Sequence, residues 1–225
     1  MRISVIIPAL NEALSIAASL NALQPLRARG HEVILVDGGS HDETPSLAED
    51  LVDRLLYAES GRAKQMMAGA AAAEGDLLLF LHADTRLPDA ADRLLGEACE
   101  KGDWGRFDLR LSGGHWLFPI IAWFINKRSR LTGIATGDQA IFVRPSLFWS
   151  AGGFADIPLM EDIEISRRLK KRGAPVCINT PLVTSSRRWE SRGVFRTVAL
   201  MWKLRFLYFL GVSPEILADQ YRRQE

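Results

Sequence analysis

Short apolar runs separated by polar loops and amphipathic stretches recur through the first half of the chain in a strand, loop, helix rhythm. Arg2 to Pro8 is one such run, closed by Pro8, and Val33 to Val36 is a second, stopping on Asp37-Gly38-Gly39-Ser40. Uninterrupted runs of this length suit strands buried on both faces, as in a parallel sheet. Between them, Ala13 to Arg29 carries Leu14, Ala17, Ala18 and Leu20 at helical spacing, with Gly30 to end it. Thr44 to Asp50 opens another helix with Pro45 in its first turn, and Arg54 to Ala58 reads as a short third strand. Ala63 to Ala73 is rich in alanine and methionine and lacks β-branched residues, which predicts a helix. Leu77 to Leu81 is a fourth strand running into His82-Ala83-Asp84. Pro88 starts a helix reaching about Lys101, and Phe107 to Leu111 alternates like a strand exposed on one face.

The second half is less regular and predicts mixed topology. Gly137-Asp138-Gln139 leads into a strand through Val143, Gly152-Gly153 marks a turn, Glu161 to Arg172 is a helix closed by Gly173, and Arg187-Arg188-Trp189 closes a late strand. Two stretches are apolar enough to raise the question of a membrane, Trp116 to Ile125 and Val194 to Val212. The first is too short to span a bilayer and the second carries Arg196, Lys203 and Arg205, so neither predicts a transmembrane helix. A helix packed on the core, a dimer interface, a groove for an apolar acceptor and an amphipathic helix on a membrane surface all fit these segments.

At 225 residues, with no Pro/Gly/Ser-rich linker, the chain predicts a single α/β domain with a C-terminal extension. Its 28 basic and 27 acidic side chains leave a net charge of +1, which gives no global field for nucleic acid. Cys99 and Cys177 are too far apart in sequence for a metal-ligand motif and too few for a disulfide framework. They predict reduced thiols in a cytoplasmic protein, and the N-terminus enters a strand with no signal segment.

The chemistry lies where the strands end. Glu12, Asp37, Asp84 and the Glu161-Asp162 pair fall at strand ends or a helix start. In an open α/β sheet those loops share the carboxyl edge, where ligands bind. Several carboxylates in one cleft call for a divalent cation, a polar ligand, or both. Asp84 alone would suffice as the protein ligand of Mg²⁺ or Mn²⁺, whose remaining positions are filled by water and phosphate oxygens, while an N-cap is its alternative role. Glu161 and Asp162 equally suit a capped and charged helix start.

Ile6-Ile7-Pro8-Ala9-Leu10-Asn11-Glu12, Val36-Asp37-Gly38-Gly39-Ser40-His41-Asp42-Glu43-Thr44, His82-Ala83-Asp84 and Glu161-Asp162 occur in the order of the motifs of family 2 glycosyltransferases. Together they resemble that family and its GT-A fold, a single Rossmann-like domain with a mixed, mainly parallel sheet. The resemblance implies a domain over residues 1–190, with a nucleotide-sugar half at 1–111, an acceptor and catalytic half at 112–190, and a helical extension at 191–225. It implies that Pro8, Ala9, Asn11 and Glu12 hold the nucleoside and that Asp37, beside Gly39, reads the base or ribose of a nucleoside diphosphate sugar. Asp84 matches the last acid of the metal-binding DxD signature, with His82 where the first acid usually stands and Ala83 between. Asp162, with Glu161 beside it, matches the catalytic base, and a helix N-terminus would hold it ionised.

Arg62 and Lys64, and Arg188 with Trp189, resemble groups that face the diphosphate and the acceptor; Ser185 replaces the glutamine of the QxxRW signature, which argues against a processive synthase. A solvated arginine pair beside a core tryptophan is the alternative for Arg187-Arg188-Trp189. Asp138 sits where acceptor-binding residues tend to fall. Gly61-Arg62-Ala63-Lys64-Gln65-Met66 and Gly137-Asp138-Gln139-Ala140 are most similar to a small bacterial subgroup of poorly defined substrate, in which an asparagine is common where this chain has Met67. The implied activity is metal-dependent, inverting transfer from a UDP-sugar to an unknown acceptor, lipid-linked or aromatic if the apolar segments line a groove. A nucleotide-binding scaffold without turnover is the competing reading, motivated by His82 and Met67. A nucleotidyltransferase and a dinucleotide oxidoreductase both need glycines after the first strand, and Ile3 to Ala13 has none.

Overall fold

The computed structural model describes residues 1–222. Strands β1 (Ile3–Ala9), β2 (Glu32–Asp37), β3 (Arg54–Tyr57) and β4 (Leu77–Phe80) alternate with helices α1 (Ile16–Asn21), α2 (Gln24–Ala28), α3 (Thr44–Ala48) and α4 (Arg62–Ala72). The chain continues through β5 (Thr85–Arg86), α5 (Ala91–Cys99), β6 (Trp104–Leu111), α6 (Phe118–Thr132), β7 (Ile141–Val143) and α7 (Pro145–Ser150). It ends with α8 (Glu161–Leu169), β8 (Val176–Thr184), α9 (Arg187–Arg192), α10 (Val194–Phe209) and α11 (Pro214–Arg222). The sheet has the order β3-β2-β1-β4-β7-β6-β8-β5. Strands β1 to β4 pair in parallel, β7 runs antiparallel between β4 and β6, and β6 and β8 are again parallel. The carboxyl ends of β1, β2 and β4 therefore open on one edge.

Apolar side chains on the two faces of β1 feed two separate cores, Ile3, Val5 and Ile7 on one side and Ile6 on the other. Helix α4 lies directly on β1 because Gly69 carries no side chain, and a Cβ there would stand 2.4 Å from Ile6 Cγ2. That close seating sets where the first residue of α4, Arg62, meets the strand ends.

Several expectations are corrected. The helix expected over Ala13 to Arg29 is broken into α1 and α2, because Pro25 in the first turn of α2 has no N–H for a continuous helix. By contrast, the alternation expected over Phe107 to Leu111 holds, with Phe107, Leu109 and Leu111 buried, Asp108 half-buried and Arg110 exposed; only the start of β6 is buried on both faces, where Arg106 forms an ion pair with Asp108. Asn126 of α6 brackets the irregular register after Phe107, accepting from Leu109 N–H and donating to its carbonyl, each at 2.9 Å. Arg187-Arg188-Trp189 lies in helix α9 and not at a strand end.

Among the described residues no helix is long and apolar enough to cross a membrane. Helix α10 packs one face, Leu200 and Leu204, on Met160, Ile163 and Leu217, and leaves Phe195, Trp202, Phe206 and Phe209 exposed on the other.

Candidate active site

The loops after β1 and β2 are stitched together by hydrogen bonds. Asn11 N–H donates to Ser40 Oγ at 2.9 Å and Asn11 Oδ1 accepts from His41 N–H at 2.9 Å. Glu12 N–H donates to Thr44 Oγ1 at 2.8 Å, and Ala13 N–H to Asp42 Oδ2 at 3.1 Å. Beneath them the buried Gln65 of α4 donates from Nε2 to the carbonyls of Ala9 and Val36, at 2.7 and 2.9 Å, clamping the ends of β1 and β2 side by side. Gln65 lies within the Gly61 to Met66 motif, and a polar residue on the buried face of an alanine-rich helix is the signal that marks it. Pro8 and Ala9 belong to β1 itself, so their contribution to the edge is backbone.

Asp37 is almost fully buried, and its carboxylate organises its own turn. Oδ2 accepts from Gly39 N–H at 2.9 Å and Ser40 N–H at 2.8 Å, and Oδ1 accepts from Ser40 Oγ at 2.5 Å. A carboxylate has about four acceptor positions, so little more than one is left for a ligand. Gly39, at φ +88°, supplies the left-handed residue that this turn requires.

Across the edge, Glu161 is buried and paired with Arg62 at 3.4 Å, and Arg187 reaches Glu12 at 3.4 Å. The charge of Arg62 is felt at His82, Asp84, Asp138 and Asp162, and that of Arg187 at Asp84. These groups thus form one electrostatic cluster. Burial raises the Asp84 carboxyl, opposed by Arg187 and Arg62. Burial also raises Asp138, against a hydrogen bond from Thr136 and the charge of Arg128. The Arg128 guanidinium is itself pulled down by burial, with Asp138 and Asp162 opposing. Arg128 and Thr136 are site-facing residues that the motifs did not single out, while Arg187 belongs to the Arg187-Arg188-Trp189 motif.

Asp162 receives hydrogen bonds from Gly137 N–H at 2.9 Å and Ile163 N–H at 2.7 Å. The expectation of a firmly ionised base is corrected: burial, and then the neighbouring Glu161 charge, push Asp162 up to about 7 and outweigh those donors. A small cavity of about 10 Å³, about one water's worth, is lined by His82, Gly137, Glu161 and Asp162 among others. His82 packs on Gly137, where a Cβ would lie 2.4 Å from its Nε2, and that nitrogen is buried without a hydrogen-bond partner. Burial, Arg62 and Arg188 hold His82 well below the ordinary histidine range, so it is neutral.

Three non-glycine residues occupy left-handed backbone, Asn11 (φ 54°), Ala140 (φ 49°) and Met160 (φ 71°). All three flank this edge, in the β1 loop, beside Gly137-Asp138-Gln139, and immediately before Glu161-Asp162. Such conformations cost about 1–3 kcal/mol each and gather where function over-determines the backbone.

Other residues are placed elsewhere. Lys64 pairs with Glu59 at 2.6 Å and lies 3.9 Å from Asp156, so its ammonium is directed to those acids. Trp189 packs on the main core, the alternative considered for it, and Arg188 stacks on the Tyr221 ring at 4.7 Å. Met67 accepts Phe154 N–H at its sulfur, 3.2 Å away, and abuts Gly153, a packing role. Ala83 is a buried core residue. Among the described residues no group of three His, Cys, Asp or Glu side chains could hold a metal by itself. A lone Asp84 carboxylate fits an ion that brings water and phosphate oxygens with it.

A family model for glycosyl transferase family 2 matches residues 4–147. The chain is 32% identical over 155 residues to an undecaprenyl-phosphate 4-deoxy-4-formamido-L-arabinose transferase of Aeromonas hydrophila, a match covering 63% of this chain and 48% of that protein. It is 38% identical over 167 residues to a PGL/p-HBAD biosynthesis glycosyltransferase of Mycobacterium tuberculosis, covering 67% of this chain and 62% of the other. The chain thus spans about half the length of the first of these relatives. In fold it is similar to the mannosyltransferase PcManGT of Pyrobaculum calidifontis, solved with GDP-Man and Mn²⁺ (TM-score 0.64, 23% identity, 82% of this chain and 56% of that one). It is also similar to S. aureus TarS 1–349 solved with UDP (TM-score 0.66, 18% identity, 82% and 60%). At these identities the solved structures establish the GT-A fold, and the family model spans well over half of the chain. The chain belongs to glycosyl transferase family 2.

Proposed function

We propose that this protein transfers a sugar from a nucleoside diphosphate sugar, UDP-linked, to an acceptor oxygen with inversion. The observation that carries the reading is the Asp162 carboxyl at about 7, half-buried at the same edge as Asp84 and the stitched β1 and β2 loops. A general base works best when its pKa lies near the working pH. Asp162 would take the proton from the acceptor O–H as that oxygen bonds to the anomeric carbon and the bond to the diphosphate oxygen breaks. Attack from the face opposite the leaving group inverts the centre. Glu161 raises the basicity of Asp162 and is neutralised by Arg62.

The Asn11, Glu12 and Asp37 loops would hold the nucleoside, with backbone at Pro8, Ala9 and Gly39 shaping the cleft. Arg62 and Arg187 would face the diphosphate, with Arg188 behind them, and Asp138 with Arg128 would face the acceptor. Asp84 would hold Mn²⁺ or Mg²⁺ delivered with the nucleotide, and that ion supplies charge neutralisation of the departing diphosphate. The relatives named for undecaprenyl phosphate and the neighbours solved with GDP-Man, UDP and Mn²⁺ support a lipid-linked acceptor and a metal-borne donor. We place the transferase domain at residues 1–190 and the helical extension after it.

The test is thermal stability with UDP and UDP-sugars, with and without Mn²⁺, followed by a donor and acceptor screen read by mass spectrometry. Ligand at a hundred times its Kd adds about 2.7 kcal/mol, and Asp84→Asn should remove the Mn²⁺-dependent share of that gain. No stabilisation by any nucleotide under either condition defeats the reading, and binding with no turnover favours the scaffold.

A further inference from the structure

Helix α10 is apolar on both sides, and among the described residues only one side is packed against the domain. Its buried stripe, Val194, Leu200 and Leu204, is anchored in the cores of the domain. At 3.6 residues per turn, Phe195, Ala199, Trp202, Phe206, Phe209 and Leu210 fall within an arc of about 100° on the opposite side. Phe195 is 76% exposed, Trp202 72% and Phe209 74%. Exposed stripes of large apolar side chains on this scale mark an interaction surface.

The charges around the stripe identify what covers it. Arg196 and Lys203 line one border, Arg205 lies toward the other, and no Asp or Glu occurs between Glu190 and Glu215. Two copies meeting through the same face would set these cations against each other, because a two-fold contact pairs each patch with itself. An anionic lipid surface neutralises them instead. Tryptophan and phenylalanine bordered by Lys and Arg is also the composition of helices that lie in the plane of a membrane interface. The helix has 16 residues, about 24 Å at 1.5 Å per residue, and the described residues contain no spanning helix, so this one lies flat. Helix α6 repeats the composition, with Ile120, Trp123 and Phe124 exposed and no acid between Asp108 and Asp138.

We infer that the outward face of α10 docks the protein on an anionic phospholipid surface. Only Gly193 separates α10 from α9, whose first residue, Arg187, touches Glu12 in the β1 loop. Docking through α10 therefore fixes the candidate site at a set height and orientation over the lipid headgroups. This docking goes beyond the transfer reading and stands without it.

Flotation of the full chain with phosphatidylcholine vesicles, and with vesicles containing about one-third phosphatidylglycerol, tests the inference directly. The protein should float with the phosphatidylglycerol vesicles at least about tenfold more tightly than with phosphatidylcholine alone. At about 1 kcal/mol per basic residue, Arg196→Gln with Lys203→Gln should weaken binding about thirtyfold, and high salt should do the same to the wild type. Trp202→Ser with Phe206→Ser should abolish flotation while leaving the melting temperature unchanged; if that variant fails to fold, the exposed-charge variant carries the test. Flotation unaffected by either variant, or absent with both vesicle types, overturns the inference. So does a dimer in sedimentation velocity that Trp202→Ser with Phe206→Ser dissociates in a protein that never floats, which would make a second copy the occupant. None of these readouts uses a nucleotide, so failure of docking and failure of sugar transfer are separable.

Discussion

Asp162→Asn should make the protein more stable and far less active. Moving this half-buried carboxyl from its ordinary 3.8 to about 7 corresponds to about 4 kcal/mol of folded-state penalty for the charged form, taken as a ceiling because Glu161 shares it and water still reaches it. The sign follows from proton binding. Below 3.8 both folded and unfolded chains carry the proton and the penalty is absent. Between 3.8 and about 7 the unfolded chain releases its proton first, so stability falls as pH rises, and above about 7 the penalty is complete. Asparagine never takes a charge, but its single acceptor oxygen serves only one of the Gly137 and Ile163 N–H groups, a loss of about 1–3 kcal/mol, so at pH 8 it should gain a net of about 1–2 kcal/mol, roughly 2–8 °C in melting temperature for a chain of this size. Near pH 4, where Asp162 keeps its proton in the folded chain, that advantage should be gone. Turnover should drop by about 10²–10⁴, the usual contribution of a general base. Scanning calorimetry across pH 4 to 8, paired with donor turnover, reads both effects. A variant less stable than wild type at pH 8 refutes the burial argument, and one with full turnover refutes the base assignment.

Arg62→Ala should lower stability by about 1–3 kcal/mol, because it leaves the buried Glu161 carboxylate without its partner, and weaken UDP binding by about tenfold through a lost phosphate contact, measurable by calorimetric titration. Gly69→Ala adds a methyl 2.4 Å from Ile6 Cγ2 and 3.1 Å from Val36 Cγ2. Overpacking should exceed the helix-propensity gain and cost about 1–3 kcal/mol in urea unfolding. Gln65→Leu removes two buried donors and should cost about 1–3 kcal/mol, with the loss of amide exchange protection concentrated at the ends of β1 and β2.

Much of the sheet was legible because β1, β2 and β4 are buried on both faces and read as uninterrupted apolar runs. Pro25, which splits the first helix, stands in the sequence, whereas the spacing of Leu14, Ala17, Ala18 and Leu20 by itself predicts one continuous helix. The alternation of β6 over Phe107 to Leu111 was legible too, whereas the burial of Arg106 just before it was not, because the Asn126 carbonyl that it reaches comes from α6. The same limit governs the site. Strand-end acids could be named from their neighbours in sequence, whereas Arg187 meeting Glu12, Arg62 meeting Glu161 and Arg128 facing Asp138 are meetings across most of the chain. Protonation is further still from sequence: Asp162 at a helix start suggests a strong acid, and the balance reverses once burial and Glu161 are counted.

The hydrogen bonds joining the β1 and β2 loops have a consequence for how the chain tolerates change. Asn11, Glu12 and Ala13 are each tied to a partner about thirty residues away, at Ser40 and His41, Thr44, and Asp42. Damage to either loop releases the other, so paired substitutions should show strong epistasis, the second lesion adding little to the first. Because one end of every bond is a backbone N–H, the cost of change falls on the four side chains that accept, Asn11, Ser40, Asp42 and Thr44, while Glu12, Ala13 and His41 are free to vary as far as these bonds are concerned.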